Sequence, residues 1–476
     1  HKVSITKHNS KISVIKIAIK SVCKIYHQNQ FINFIKSKEL FIYSYMESFF
    51  VVGGKSLRGE VEIDPAKNSL LPILAGCILV KGEVCLENVP KYSDVMAMIK
   101  ILEHLGGKVT FERGKFSNDD LIIDTRDIVY CDVPNELASC VRSSIFTLGP
   151  ILGRKKIAKV AYPGGCDIGL RPVDIHISLL KQLGCKVIDK NGYIYGDASK
   201  RREGDVMLSF PSVGATENAM MFAVLGHGQV RIFNPAREPE IVDLQNFLNS
   251  CGAKISGAGS NLIVIDGVKR LHGCRYHAIS DRIEAGTFMI AGAMAGEKVA
   301  IKNVIPEHNQ ALLSKLSKTA CKIDVRDDTI IIERGGRLQS FGEVETAVYP
   351  GFPTDLQAPM CSLASICEGY SLVIESLFES RYKHIGELLK MNCDIRCKNG
   401  VCIIKGRDKI YGAEVSSPDL RGGACLVLAG LVAEGYTTIN NIELIDRGYF
   451  RLEDKLTSLG GDIKRIKCEK KVDNCS

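Results

Sequence analysis

The 476-residue chain contains no tryptophan, so its 7% aromatic content rests on phenylalanine and tyrosine. It has no run of 18 apolar residues, which excludes an apolar helical membrane span. Residues 1–45 hold no arginine, no methionine and no obvious cleavage site. Lys16, Lys20 and Lys24 do fall on one helical face, opposite Ile15, Ile19 and Val22, but the missing features argue against a targeting segment. Met46 is therefore read as the natural start, behind an extension (1–45) expected to be poorly ordered. The rest of the chain lacks net charge. Of the formal +8, residues 1–45 carry +7 through eight lysines and Glu39, leaving about +1 on the remaining 431 residues. A nucleic-acid surface needs a basic body, so no nucleic-acid partner is expected, and no membrane partner either. Cys393, Cys397 and Cys402 lie close together without a histidine partner, a poor zinc spacing, so no metal is expected. The 18 cysteines are scattered, often beside Val, Leu or Ile (Cys77, Cys367, Cys425). They read as free thiols in a reducing compartment, which places the protein in the cytoplasm.

What is present is a repeat. With 45% hydrophobic residues the chain can build two domains. Six times an amphipathic helix ends in a small-residue turn and enters a strand: Leu102–Val109, Leu180–Val187, Leu248–Ile255, Leu316–Ile323, Leu388–Ile395 and Leu456–Ile463. The last residues of these segments are 78, 68, 68, 72 and 68 apart. Glycine or asparagine at each turn fits a left-handed helix cap; Ala320 in the fourth copy does not. Each unit also carries an earlier apolar helix and a short β pattern ending in asparagine, as in Val84–Asn88, Val230–Asn234, Val299–Asn303 and Thr438–Asn441. The expected fold is α/β: six βαβαββ-type repeats, three per domain, with helices inside and sheets outside.

The second repeat is the longest, and its extra residues are placed around Lys155–Pro163, before a glycine-rich loop. That loop, in Pro163-Gly-Gly-Cys-Asp-Ile-Gly-Leu-Arg-Pro-Val-Asp-Ile-His176, carries Cys166 five residues before Arg171 and a helical pattern. A thiol beside an arginine and a helix start is in electropositive surroundings that tune its acidity. A repeat that departs from its siblings by lengthening one loop points to function there.

Equivalent helix starts carry polar groups: Lys67-Asn68, Arg142, Ser212-Val-Gly-Ala-Thr216, Asp355 and Asp419-Leu-Arg421. Arg381 and Arg447 open the second helices of repeats five and six. Each taken alone is an ordinary surface residue; their recurrence at related positions places Lys67, Arg142, Arg171, Arg381, Arg421 and Arg447 around one cleft. Six cations in a near-neutral body suit a strongly anionic ligand, such as a phosphate or diphosphate with a carboxylate.

From Met46 to Lys467 the chain resembles the UDP-N-acetylglucosamine 1-carboxyvinyltransferases, enolpyruvyl transferases of the EPSP synthase-like family. The resemblance rests on Ala66-Lys-Asn68, Pro163–His176, Ala236-Arg-Glu-Pro-Glu-Ile-Val-Asp243, Asp281-Arg-Ile-Glu-x-Gly-Thr-Phe288, Phe352-Pro-Thr-Asp-x-Gln357 and Asp446-Arg-Gly-Tyr449. It implies a two-domain inside-out α/β barrel, with one domain over 67–279 and the other over 46–66 plus 280–476. It implies transfer of the enolpyruvyl group of phosphoenolpyruvate to the 3′-hydroxyl of UDP-N-acetylglucosamine, the step that opens peptidoglycan synthesis. It implies a monomer without metal or organic cofactor, inhibited by the epoxide fosfomycin. By the same resemblance Cys166 is the acid that protonates phosphoenolpyruvate and Asp355 accepts the hydroxyl proton. Lys67, Arg171 and Arg447, with Asn68 beside them, clamp phosphate and carboxylate, and Arg421 joins the substrate contacts. Arg142, Arg171, Pro172, Val173, Asp174, Ile175, Ser212, Val213, Gly214 and Leu377 match the UDP-sugar contacts. Pro65 and Phe210-Pro211 depart from the family pattern at the edge of those contacts. Two other readings stay open. The Cys166 loop argues against a shikimate-type enolpyruvyl transferase. The presence of every matched catalytic residue argues against a non-catalytic UDP-sugar-binding paralogue.

Overall fold

The computed structural model describes residues 43–164 and 173–471. Residues 47–466 form one compact unit; the other, 1–46 with 467–476, enters the described residues only as extended chain at 43–46 and 467–471. Apart from 43–45, the extension 1–45 lies outside the described residues.

The third repeat shows the unit in full. Strand Gly204–Met207 leads to helix Val213–Val224, strand Gln229–Phe233, helix Pro239–Ser250, and strands Lys254–Ser256 and Leu262–Asp266. The first strand pairs parallel to the second, and the others pair antiparallel. Alternation sets the faces: Val230, Ile232, Ile263 and Ile265 are buried, while Gln229, Arg231 and Asp266 point outward. Among the described residues there are six such four-stranded sheets.

The first helix of a repeat is apolar nearly all round, so it must be enclosed. Val213–Val224 is buried from Ala215 onward, Arg282–Ala295 from Ile283 onward, and Leu420–Val432 from Leu420 to Leu431. The buried side chains form two cores. One spans Leu70 to Ala278; the other combines Phe49–Ile63 with Ile283–Ile463. Helices lie inside, sheets outside, with three repeats around each core: the inside-out α/β arrangement. The chain closes its sheets across long distances. The first repeat takes its parallel edge strand, Arg275–Tyr276, from beyond the third; the fourth takes Leu57–Glu62 from before the first. The two passages between cores run side by side. Ala66 N donates to Ile279 O at 2.7 Å, and Asp281 N to Asp64 O at 2.8 Å. Beside them Lys455 Nζ lies 2.7 Å from both Asp64 Oδ2 and Glu284 Oε1.

All six helix-ending turns are left-handed: Gly106, Gly184, Gly252, Ala320, Asn392 and Gly460 have positive φ. Ala320, expected not to fit, adopts φ 64 all the same, because the repeat geometry overrides its steric preference. Asn88, Asn234, Asn303 and Asn441 share a left-handed conformation at the ends of the matching strands. Two further expectations are corrected. The segment Lys155–Pro163 holds the ordinary repeat strand, Ile157–Ala161, so the added length falls in the connection from there to helix Asp174–Gln182. The cysteines are not all free thiols: Cys397 and Cys402 are directly opposed across a hairpin and joined as a disulfide.

Candidate active site

Helix Lys67–Cys77 begins where the first passage enters its core, which buries a lysine at a helix N-terminus. That position opposes the helix dipole, so the charge needs a partner. Asp94, in the first turn of helix Ser93–His104, supplies it: Lys67 Nζ lies 2.9 Å from Asp94 Oδ2. The same carboxylate takes Arg447 Nε at 2.9 Å on Oδ1 and Arg447 Nη2 at 3.4 Å on Oδ2. Burial alone raises the Asp94 carboxyl, but the Lys67 and Arg447 charges outweigh it and hold it below its ordinary range. The backbone N–H of Lys67 donates to Asp281 Oδ2 at 3.1 Å, while Asp281 Oδ1 caps helix Arg282–Ala295 through Ile283 N and Glu284 N. Asn68 follows on the same first turn, half-buried.

Asp355 sits in the 3-10 turn Thr354–Leu356 that opens helix Gln357–Ala364. Arg381 Nη2 lies 2.6 Å from its Oδ1, and Arg421 approaches Oδ2 with Nη2 at 2.9 Å and Nε at 3.2 Å. Burial pushes this carboxyl up, yet the two guanidinium ions drive it far below the carboxylate range. Arg421 starts helix Leu420–Val432, whose N-cap Asp419 accepts from Arg421 N and Gly422 N. Arg421 stacks over the Tyr449 ring at 5.2 Å, and Tyr449 Oη lies 2.8 Å from Thr287 Oγ1. A Cβ on Gly448 would fall 2.9 Å from Leu420 and 3.0 Å from Lys67, so the 447–449 turn packs closely between these two side chains. Lys67, Arg447, Arg421, Arg381 and Asp355 thus gather in one region. The cations do not line it bare: Asp94 and Asp355 engage two each. Among the described residues, the buried Arg381 Nε and Arg421 Nη1 have no hydrogen-bond partner, which leaves two donor nitrogens for a ligand.

Of the expected UDP-sugar contacts, Val173 belongs to the first core, Ile175 and Val213 pack against it, and Arg142, Ser212 and Gly214 are half-buried while Asp174 is exposed. Arg142 opens the turn Arg142–Thr147, Asp174 opens helix Asp174–Gln182, and Ser212 caps helix Val213–Val224 by accepting from Ala215 N. Leu377 follows strand Tyr370–Ile374, and its N–H donates to Glu375 Oε1 at 2.9 Å. Cys166, Arg171 and Pro172 lie outside the described residues. Asp94 escaped sequence reasoning, its only signal being an acid at a helix start, which is common; Asp281 opens a matched segment that gives it no role.

The sequence profile of EPSP synthase (3-phosphoshikimate 1-carboxyvinyltransferase) matches residues 51–456. The chain is 48% identical over 421 residues to UDP-N-acetylglucosamine 1-carboxyvinyltransferase 2 of Caldanaerobacter subterraneus subsp. tengcongensis, covering 88% of this chain and all of that one. It is 44% identical to the Bacillus subtilis protein of the same name, covering 88% of this chain and 97% of that one. Among solved structures, the enolpyruvyl transferase NikO from Streptomyces tendae superposes with TM-score 0.79 at 22% identity, over 89% of this chain and all of that one. EPSP synthase from Acinetobacter baumannii superposes with TM-score 0.65 at 16% identity, over 88% and 100%. At these identities the two structures bear on the fold alone.

Proposed function

The chain belongs to the EPSP synthase family, and from that premise we propose that it transfers the enolpyruvyl group of phosphoenolpyruvate to the 3′-hydroxyl of UDP-N-acetylglucosamine, releasing phosphate. The observation that carries the choice of acceptor is the 48% identity along the whole length of a relative bearing that activity in its name. The reaction opens peptidoglycan synthesis, in the cytoplasm. Among the described residues no helix is long and apolar enough to cross a membrane. The working unit is a monomer with lobes 67–279 and 46–66 plus 280–476, and both passages between the lobes border the site.

The chemistry assigns the roles. Phosphoenolpyruvate becomes electrophilic at C2 only after its C3 is protonated, and Cys166 gives that proton from its thiol. The sugar 3′-oxygen attacks C2, and its proton passes to Asp355. The tetrahedral adduct then expels phosphate while C3 gives back one proton, which restores the double bond. Lys67 and Arg447, with Arg171, stabilise the departing phosphate; the spare donors of Arg381 and Arg421 suit the carboxylate. Arg142, Arg171–Ile175, Ser212–Gly214 and Leu377 hold the UDP-sugar. Asp355, clamped by two arginines, is a weak base in the described state, and its Oδ1, which accepts from Arg381 alone among the described residues, has room for the sugar hydroxyl.

The test is phosphate release from phosphoenolpyruvate with UDP-N-acetylglucosamine, compared with shikimate 3-phosphate. Release with the first acceptor alone is the expected result; release with shikimate 3-phosphate alone would overturn the reading. Peptide mapping after fosfomycin treatment checks the acid: the adduct belongs on Cys166, and an adduct on another cysteine with Cys166 unmodified would refute that role.

A further inference from the structure

Asn218 lies in the middle of helix Val213–Val224, fully buried, and its amide orientation is fixed by backbone partners. Its Oδ1 accepts the Gly149 N–H at 2.6 Å, and its Nδ2 donates to the Ile145 carbonyl at 3.0 Å. A backbone N–H only donates and a carbonyl only accepts, so the two amide ends cannot be exchanged. The second Nδ2 hydrogen is then directed at His176 Nδ1, 2.9 Å away. That ring nitrogen must accept, which leaves the proton of the neutral imidazole on Nε2. A doubly protonated ring would set one N–H against another. Gly149 makes the contact possible, because a Cβ there would meet Asn218 O at 2.4 Å and Oδ1 at 2.7 Å. Burial, helped by the Arg142 charge, lowers His176 to about 4, so the ring is neutral at pH 7.

The other edge of the ring faces the start of the same helix. A Cβ on Gly214 would come within 3.1 Å of His176 Cε1 and 3.4 Å of Nε2. His176 is 6% exposed, and among the described residues its Nε2 has no hydrogen-bond partner. That free N–H donor stands beside a helix N-terminus whose own N–H groups favour an anion.

We propose that Asn218 is a positioning residue that holds His176 in the Nε2–H form, as a neutral donor to the diphosphate of the nucleotide-sugar substrate. The assignment rests on the UDP-sugar reading above. A neutral donor contributes a directed hydrogen bond without adding a further charge beside Arg142.

Long-range 1H–15N correlation on the histidine-labelled full chain reads the tautomer directly. The expected signature is Nε2–H with a bare Nδ1, shifted at Nε2 on addition of UDP; an Nδ1–H ring overturns the proposal. His176→Phe should weaken UDP binding and raise the UDP-sugar KM about tenfold, with kcat changed less than about twofold, while uridine binds as before. His176→Gln, which keeps an N–H donor, should recover most of the loss. Asn218→Asp places a carboxylate on Nδ1. Its KM should rise at high pH, where Nε2 turns acceptor, and fall again as the ring becomes doubly protonated; the unaltered chain should stay flat. A flat profile in that variant, or unchanged UDP affinity in His176→Phe, defeats the proposal. A parent chain that releases no phosphate from phosphoenolpyruvate and UDP-N-acetylglucosamine defeats instead the reading it rests on.

Discussion

Lys67 Nζ and Asp94 Oδ2 stand 2.9 Å apart with both side chains buried, and the same carboxylate binds Arg447 from a segment 353 residues away. One acid thus sets the spacing of two cations assigned to the leaving phosphate. Asp94→Asn keeps the shape and removes the charge. It should raise the phosphoenolpyruvate KM and destabilise the protein at pH 7 by up to about 3 kcal/mol, since two buried cations lose their counter-charge. The pH dependence has a definite sign. The Asp94 carboxyl is depressed in the folded state, so its contribution is full above the unfolded carboxylate range and is lost as pH falls through the lower folded value. Acid unfolding should therefore be shallower in the variant when followed by circular dichroism. Equal acid profiles would show that the pair contributes nothing to stability.

Asp355 offers the complementary case. Both its oxygens are held by arginine, and its carboxyl is depressed. Asp355→Asn should lower kcat by about 100- to 10,000-fold while UDP-N-acetylglucosamine still binds within about tenfold. A kcat near that of the unaltered chain would make Asp355 a positioning residue only. Arg381→Gln loosens one side of the clamp, so the Asp355 carboxyl should rise toward its ordinary value and the acid limb of the kcat profile should move up in pH.

How much was legible follows from which interactions are local. The six turns announce themselves because a left-handed cap needs particular residues at one position, and the spacing repeats. Lys67, Asp355 and Arg421 stand at first-helix starts of their repeats, as the repeat pattern predicts, whereas Arg447, expected to open a second helix, lies in the turn ahead of helix Leu452–Ser458. What stayed hidden is pairing across the chain. Asp94 reads as an ordinary first-turn acid until the fold brings Arg447 to it. Asn218 looks like one polar residue in an apolar helix, and only the neighbouring helix shows that it addresses His176. The Cys397–Cys402 link depends on hairpin register, which cysteine spacing alone does not specify.

Ala320 tests the repeat geometry itself. It is the one residue among the six turns that is neither glycine nor asparagine, yet it holds φ 64 on an exposed turn. The left-handed conformation costs alanine about 1–2 kcal/mol, and the greater freedom of glycine in the unfolded chain returns about 0.4–1 kcal/mol of that advantage. Ala320→Gly should therefore stabilise the protein by roughly 0.5–1 kcal/mol in urea unfolding, with no change in activity. A destabilised variant would mean that the alanine methyl makes a contact worth more than the backbone strain.

The passage between the cores supplies a prediction with the opposite pH sign. Glu284 is buried against Asp64, and burial lifts its carboxyl above the ordinary range even though Lys455 pulls it down. A carboxyl raised in the folded state contributes stability that is full below its unfolded value and is lost as pH rises through the folded one. Lys455→Met removes the only cation paired with both acids among the described residues. Glu284 and Asp64 then repel without compensation, and the Glu284 carboxyl should rise further. The melting temperature of the variant should go on falling as pH rises above about 7, where the loss in the unaltered chain is levelling off. Because the two passages meet at this cluster, a second variant separates charge from packing. Lys455→Met combined with Glu284→Gln should restore a nearly flat profile, since the remaining Asp64 carboxylate keeps the Asn118 Nδ2 donor at 2.8 Å. A double variant as pH-sensitive as the single one would place the titrating group elsewhere and remove Glu284 from the account.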